Sequence, residues 1–146
     1  MKTIEGNILD IPRGIICHQV NLLGIMGGGL ALQIKNKWPR VYEYYARYCQ
    51  LSPELGDVCY ADANKNIMVA NLFGKCRIGG NKNNTVYGVY PKMLEDVVSA
   101  SLAAELPIYI PYGIGCGLAG GDWNIMLPIL EKHLLESATI VKYNGV

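Results

Sequence analysis

The residues best suited to chemistry lie in two glycine-rich stretches, "GIMGGGLA" (Gly24 to Ala31) and "GIGCGLAGGD" (Gly113 to Asp122). Each follows an apolar run and precedes a helical pattern. Glycine reaches positive φ and lets a ligand come close to the backbone. Free amides at a helix start attract anions. One such loop is as readily a tight turn, because a lone glycine motif says little. Two of them in matching strand-to-helix positions point to a diphosphate held from both sides. Neither loop is a GxGxxG with an acid on a second strand, and neither carries GK[ST]. A classical Rossmann site and a P-loop therefore do not fit.

The elements that must position these loops alternate along the chain. "KTIE" reads as a short first strand, and "GIICHQV" (residues 14–20) as a buried strand bounded by glycine and a polar loop. A helix over "LALQIKNKW" stops before Pro39, and "VYEYYARYCQ" continues as a second. "GDVCYAD" and "NIMVANLF" form a strand pair joined by a turn at "ANK". "GKCRIGGNKNNTVYG" has no period and reads as a long functional or mobile loop. "PKMLEDVVSASLAAEL" is an amphipathic helix with Pro91 in its first turn, "PIYIPY" a buried strand, "DWNIMLPILEKHLLE" a helix and "ATIVKYN" a last strand. Strands interleaved with helices imply an α/β domain with a mostly parallel sheet.

Composition narrows the partners. The 146 residues suit a single domain, 1–146, with a core of its own. Thirteen basic and twelve acidic residues leave a net charge of +1, a poor footprint for nonspecific nucleic-acid binding. No apolar leader opens the sequence, and the uncharged run Leu106 to Gly121 is too short and too broken to cross a bilayer. Five cysteines without a CxxC pair read as reduced thiols of a cytoplasmic protein, with no metal site and no cofactor implied.

"HQVNLLGIMGGGLALQIKNKWP" together with "IPYGIGCGLAGGDW" resembles the macrodomains, which bind ADP-ribose. "GNIL" near the start and "ANLFGK" in the middle agree in order, so the likeness covers nearly the whole chain. Within the superfamily it resembles the branch of terminal ADP-ribose glycohydrolases, antitoxin macrodomains acting on ADP-ribosylated DNA, and ADP-ribose-1″-phosphate phosphatases. The resemblance implies a three-layer α/β/α sandwich around a mixed sheet, with ADP-ribose or an ADP-ribosylated substrate across the carboxyl ends of the central strands.

Residue by residue, the resemblance places Asn7 and Ile8 beside adenine and Asn21 at the distal ribose. Asn7 stands where relatives often carry Asp, and it equally suits a turn or cap. Met26, Gly27, Gly28, Gly29 and Leu30 match the first loop, around the distal ribose and pyrophosphate. Gly113, Ile114, Gly115, Cys116, Gly117, Leu118 and Ala119 match the second, whose amides hold the phosphates. Lys75 matches the catalytic lysine of the glycohydrolases; such an amine forms a Schiff base with a ring-opened sugar if its pKa falls. A solvated loop lysine is the alternative. His18 matches a histidine of the phosphatase-type members, a general acid or base there, or else simply a hydrogen-bonded strand residue. The glycohydrolases place an acid directly after "GCGL", where this chain has Ala119; the nearby Asp122 reads first as a helix N-cap at the edge of the ligand loop. The resemblance thus implies a hydrolase of ADP-ribosyl derivatives, with a phosphatase or a non-catalytic reader as alternatives.

Overall fold

The computed structural model describes residues 1–76, 84–134 and 136–145. Its elements run β1 (Lys2–Glu5), β2 (Gly14–Val20), α1 (Gly29–Lys37), α2 (Pro39–Cys49), β3 (Val58–Asp62), β4 (Ile67–Phe73), α3 (Tyr90–Ala104), β5 (Ile108–Pro111), α4 (Trp123–Leu134) and β6 (Ala138–Lys142). Short 3-10 turns cover Ile8–Asp10 and Tyr87–Val89. The sheet order is β1-β6-β5-β2-β4-β3, with β3 antiparallel to β4 and the other described pairs parallel.

β2 sits mid-sheet, and its side chains alternate between two cores. Ile15 and Cys17 join Tyr90, Met93 and Leu94 of α3 and Met126 and Leu130 of α4. Ile16 joins Ile34 of α1 and Val41 of α2, and Val20 joins Tyr45 of α2. Helices therefore cover both faces, giving the three layers of an α/β/α sandwich. Burial on both faces explains why β2 reads as an unbroken apolar run. Among the described residues no helix is long and apolar enough to cross a membrane, and no cluster of His, Cys, Asp or Glu suits a metal ion.

Element boundaries shift for local reasons. α1 starts at Gly29, one residue before the apolar pattern, with Gly29 at φ 55°. α2 starts at Pro39, whose fixed φ suits a first helical turn. α3 ends at Ala104 because Glu105 turns left-handed (φ 55°) and Leu106 N–H bonds back to Ser101 O at 3.2 Å. β6 stops at Lys142, two residues before the end of the expected strand. Of the long polar loop, residues 77–83 lie outside the described residues; its ends are joined by an antiparallel bridge between Lys75 and Thr85.

Candidate active site

At the carboxyl ends of β2, β4 and β5 the two glycine loops face each other. A cavity of about 210 Å³ lies between Gly28, Gly29 and Leu30 on one side and Gly113 to Gly115 and Gly117 to Ala119 on the other, with His18 and Lys75 also lining it. A second, of about 270 Å³, adds Asn21 and Gly27 and shares Lys75, Gly28 and Leu118 with the first. A third, of about 190 Å³, holds Asn7 and Ile8 and shares Leu30 and Tyr112. The shared residues make the three one groove, with Asn7 toward one end and Asn21 toward the other.

The groove is lined by free backbone donors. Among the described residues no acceptor takes the amides of Gly27, Gly28, Gly29 and Leu30, nor those of Gly113, Gly115, Gly117, Leu118 and Ala119. An anion meeting several such dipoles gains charge-assisted bonds of about 1.5–3 kcal/mol each. The loops also nearly touch: a methyl built on Gly28 would lie 2.9 Å from Leu118 Cδ1.

Lys75 follows the end of β4, half-buried, and its ammonium has no ion pair or hydrogen bond among the described residues. Burial holds its pKa below the usual lysine range. His18 is buried, with Nε2 2.6 Å from Asn71 Oδ1. Asn71 donates its Nδ2–H to Cys59 O at 2.9 Å, so the network assigns its oxygen to the ring and the ring proton to Nε2. Nδ1 is then a lone-pair acceptor, and it has no partner among the described residues. Burial, with a smaller opposing effect from the Asn71 bond and a further push from Lys75, lowers the His18 pKa to about 4.

Several expected ligand residues have structural duties. Asn7 Oδ1 caps its own 3-10 turn through Leu9 N–H at 2.9 Å. The Asn21 side chain folds the first loop, donating to Ile25 O at 2.8 Å and accepting from Leu23 N–H at 2.9 Å. The Tyr45 hydroxyl pins it from α2, at 2.7 Å from Asn21 O and 2.9 Å from Asn21 Oδ1. Met26, Cys116 and Asp122 line none of the three cavities. Met26 points into the core beside Tyr45 and Phe73. The Cys116 thiol bonds to Ile114 O at 3.3 Å, and burial followed by the nearby Asp122 charge raises its pKa. Asp122 Oδ1 accepts Asn124 N–H at 2.9 Å, a cap at the start of α4.

Solved structures share this fold over nearly their whole length. A protein from Bacteroides thetaiotaomicron, 28% identical, superposes with a TM-score of 0.87 over 98% of this chain and 99% of its own. The macrodomain of Mycobacterium tuberculosis DarG, 20% identical, gives 0.82 over 99% and 97%. The chain has the macrodomain fold.

Thermosipho africanus DarTG in complex with ADP-ribose matches the same fold at 22% identity and a TM-score of 0.78, covering 99% of this chain and 42% of that chain. Two curated relatives match part of the chain. One is an ADP-ribose 1″-phosphate phosphatase of Aspergillus oryzae, 40% identical over 58 residues, or 37% of this chain and 29% of that protein. The other is a DNA ADP-ribosyl glycohydrolase of Thermus aquaticus, 36% identical over 50 residues, or 34% and 14%. These matches thus span less than a third of either relative. No family model matches the chain.

Two residues of the groove region have a role that the sequence reading did not assign. Gln19 donates Nε2–H to Thr85 Oγ1 at 3.0 Å, and Thr85 donates to Gly115 O at 2.6 Å. Their separation of 66 positions hides the pairing; a polar residue closing an apolar strand was the single hint.

Proposed function

We propose that this macrodomain binds ADP-ribose along the groove and hydrolyses an ADP-ribosylated substrate, with Lys75 as the catalytic residue. The observation that carries this reading is an unpaired, half-buried lysine lining two cavities together with residues of both anion-binding loops. The free loop amides suit a pyrophosphate, and the cavity with Asn7 and Ile8 suits the adenine end.

In this mechanism the loops hold the diphosphate and fix the distal ribose beside Lys75. Desolvation favours the neutral amine, which adds to C1″ of the ring-opened sugar; the substrate group then leaves C1″ with a proton from the lysine nitrogen, and an imine to Lys75 remains. Water then hydrolyses the imine, releasing ADP-ribose and restoring the amine. The ADP-ribose complex of the Thermosipho protein and the glycohydrolase named among the relatives support this reading.

One observation favours a second reading, an ADP-ribose-1″-phosphate phosphatase: the bare Nδ1 of His18 is an acceptor in a residue that lines the same cavity. A ring titrating near 4 is a weak base at neutral pH, so Lys75 is preferred. The deciding experiment incubates wild type, Lys75→Ala and His18→Ala with ADP-ribosylated protein, ADP-ribosylated DNA and the 1″-phosphate side by side. Release of ADP-ribose by wild type and its loss in Lys75→Ala is the expected outcome. Phosphate release that depends on His18 alone transfers the site to the second reading. Binding without any turnover leaves a reader of ADP-ribose.

A further inference from the structure

Four groups beneath the second loop form a hydrogen-bond relay whose direction follows from chemistry. The Gly115 carbonyl only accepts, so Thr85, 2.6 Å away, must donate to it. The Thr85 oxygen then accepts from Gln19 Nε2 at 3.0 Å, which turns Gln19 Oε1 toward Tyr90, and the Tyr90 hydroxyl donates to it at 2.5 Å. Tyr90 and Thr85 are buried, and burial keeps the tyrosine protonated and able to donate.

Space around the relay admits no slack. A Cβ on Gly74 would lie 2.5 Å from Gln19 Oε1, and one on Gly115 would lie 3.1 Å from both Gln19 Oε1 and Thr85 Oγ1. Gly115 O also accepts Gly121 N–H at 2.9 Å, and the next amide, Cys116 N–H, bonds to Gly113 O at 2.8 Å. The Gly115–Cys116 peptide is therefore held at both ends. Among the described residues this leaves the amides of Gly115, Gly117, Leu118 and Ala119 free. Thr85 also stands opposite Lys75 in an antiparallel bridge, where Val86 N–H bonds to Gly74 O at 2.7 Å, so the relay adjoins the segment that carries the lysine.

We infer that Thr85, oriented by Gln19 and Tyr90, is a positioning residue that presets the second loop for the diphosphate. This rests on the reading of the groove as an ADP-ribose site. Thr85 acts through Gly115 and does not touch the ligand, so its side chain governs affinity and not the chemical step.

The test compares wild type, Thr85→Val and Thr85→Ser. Thr85→Val keeps the shape and removes the donor, so Kd for ADP-ribose and KM rise about tenfold while kcat stays within about twofold. Thr85→Ser restores the donor and returns both to within about threefold of wild type. Amide hydrogen exchange across residues 113–121 quickens in Thr85→Val without ligand present. If Thr85→Val fails to fold, Tyr90→Phe, which removes the hydroxyl that orients Gln19 and lines none of the three cavities, is compared by the same exchange and titration. Unchanged exchange and affinity in the variant, or a serine as weak as the valine, overturns the inference. A wild type that gives no heat with ADP-ribose instead overturns the ligand reading, and the exchange measurement still decides whether the relay sets the loop.

Discussion

Asn71 fixes the tautomer of His18: its amide oxygen, 2.6 Å from Nε2, accepts the ring N–H and leaves Nδ1 without a partner among the described residues. Both residues are buried, so this is a polar pair whose charge state feeds directly into stability.

Burial of that ring predicts acid sensitivity. The unfolded chain binds a proton at histidine near 6.5, whereas the folded ring does so only near 4. Stability is therefore full above the unfolded value and falls as pH drops from there toward 4, by roughly 3 kcal/mol from this residue. Urea titrations at several pH values measure it. His18→Gln flattens that part of the curve, and a wild-type midpoint that ignores this window contradicts the assignment.

In the proposed mechanism Lys75 sets the acid limb of the activity profile. Its amine works when deprotonated, and burial lowers its pKa, so kcat/KM rises with pH and levels off below the range where free lysine titrates. Lys75→Arg is as inactive as Lys75→Ala, because guanidinium stays charged. Activity retained in Lys75→Arg removes the nucleophile from the mechanism.

Two glycines in the loops should respond very differently to alanine. A Cβ on Gly121 would lie 2.4 Å from the Gly115 carbonyl oxygen, which is backbone and cannot step aside. Gly121→Ala costs about 2 kcal/mol or more and weakens ADP-ribose binding with it. At Gly28 the nearest atom is the tip of the exposed Leu118 side chain. Gly28→Ala therefore costs less than about 1 kcal/mol in stability. Thermal unfolding and calorimetry compare the pair.

Tyr45→Phe removes the hydroxyl that pins Asn21 from α2. A loss of about 1–2 kcal/mol follows, with a several-fold weaker Kd for ADP-ribose as the first loop loosens. Chemical denaturation and titration read the two effects separately.

Much of the framework was legible because its signals are local. The buried run of β2, the stop of the α1 pattern before Pro39 and the glycine loops after apolar strands were each visible within a few residues. The cap at Asp122 was legible for the same reason. What stayed hidden depends on contacts between distant segments. No motif assigned a role to Gln19 or Thr85, and that role appears only once β2 and the segment after residue 83 meet beneath the second loop. Asn21 shows the converse: its type suggested a ligand contact, while its side chain spends its bonds on its own loop and on Tyr45. Met26 reads as a loop residue until α2 supplies the core that takes its side chain.

The near-contact of Gly28 and Leu118 makes the groove's width an adjustable dimension. Trimming the leucine unroofs the passage, whereas adding a single carbon opposite wedges its walls apart. A graded series at these two positions would act as a caliper, reporting how bulky a group can hang from the sugar before it no longer slips under the bridge.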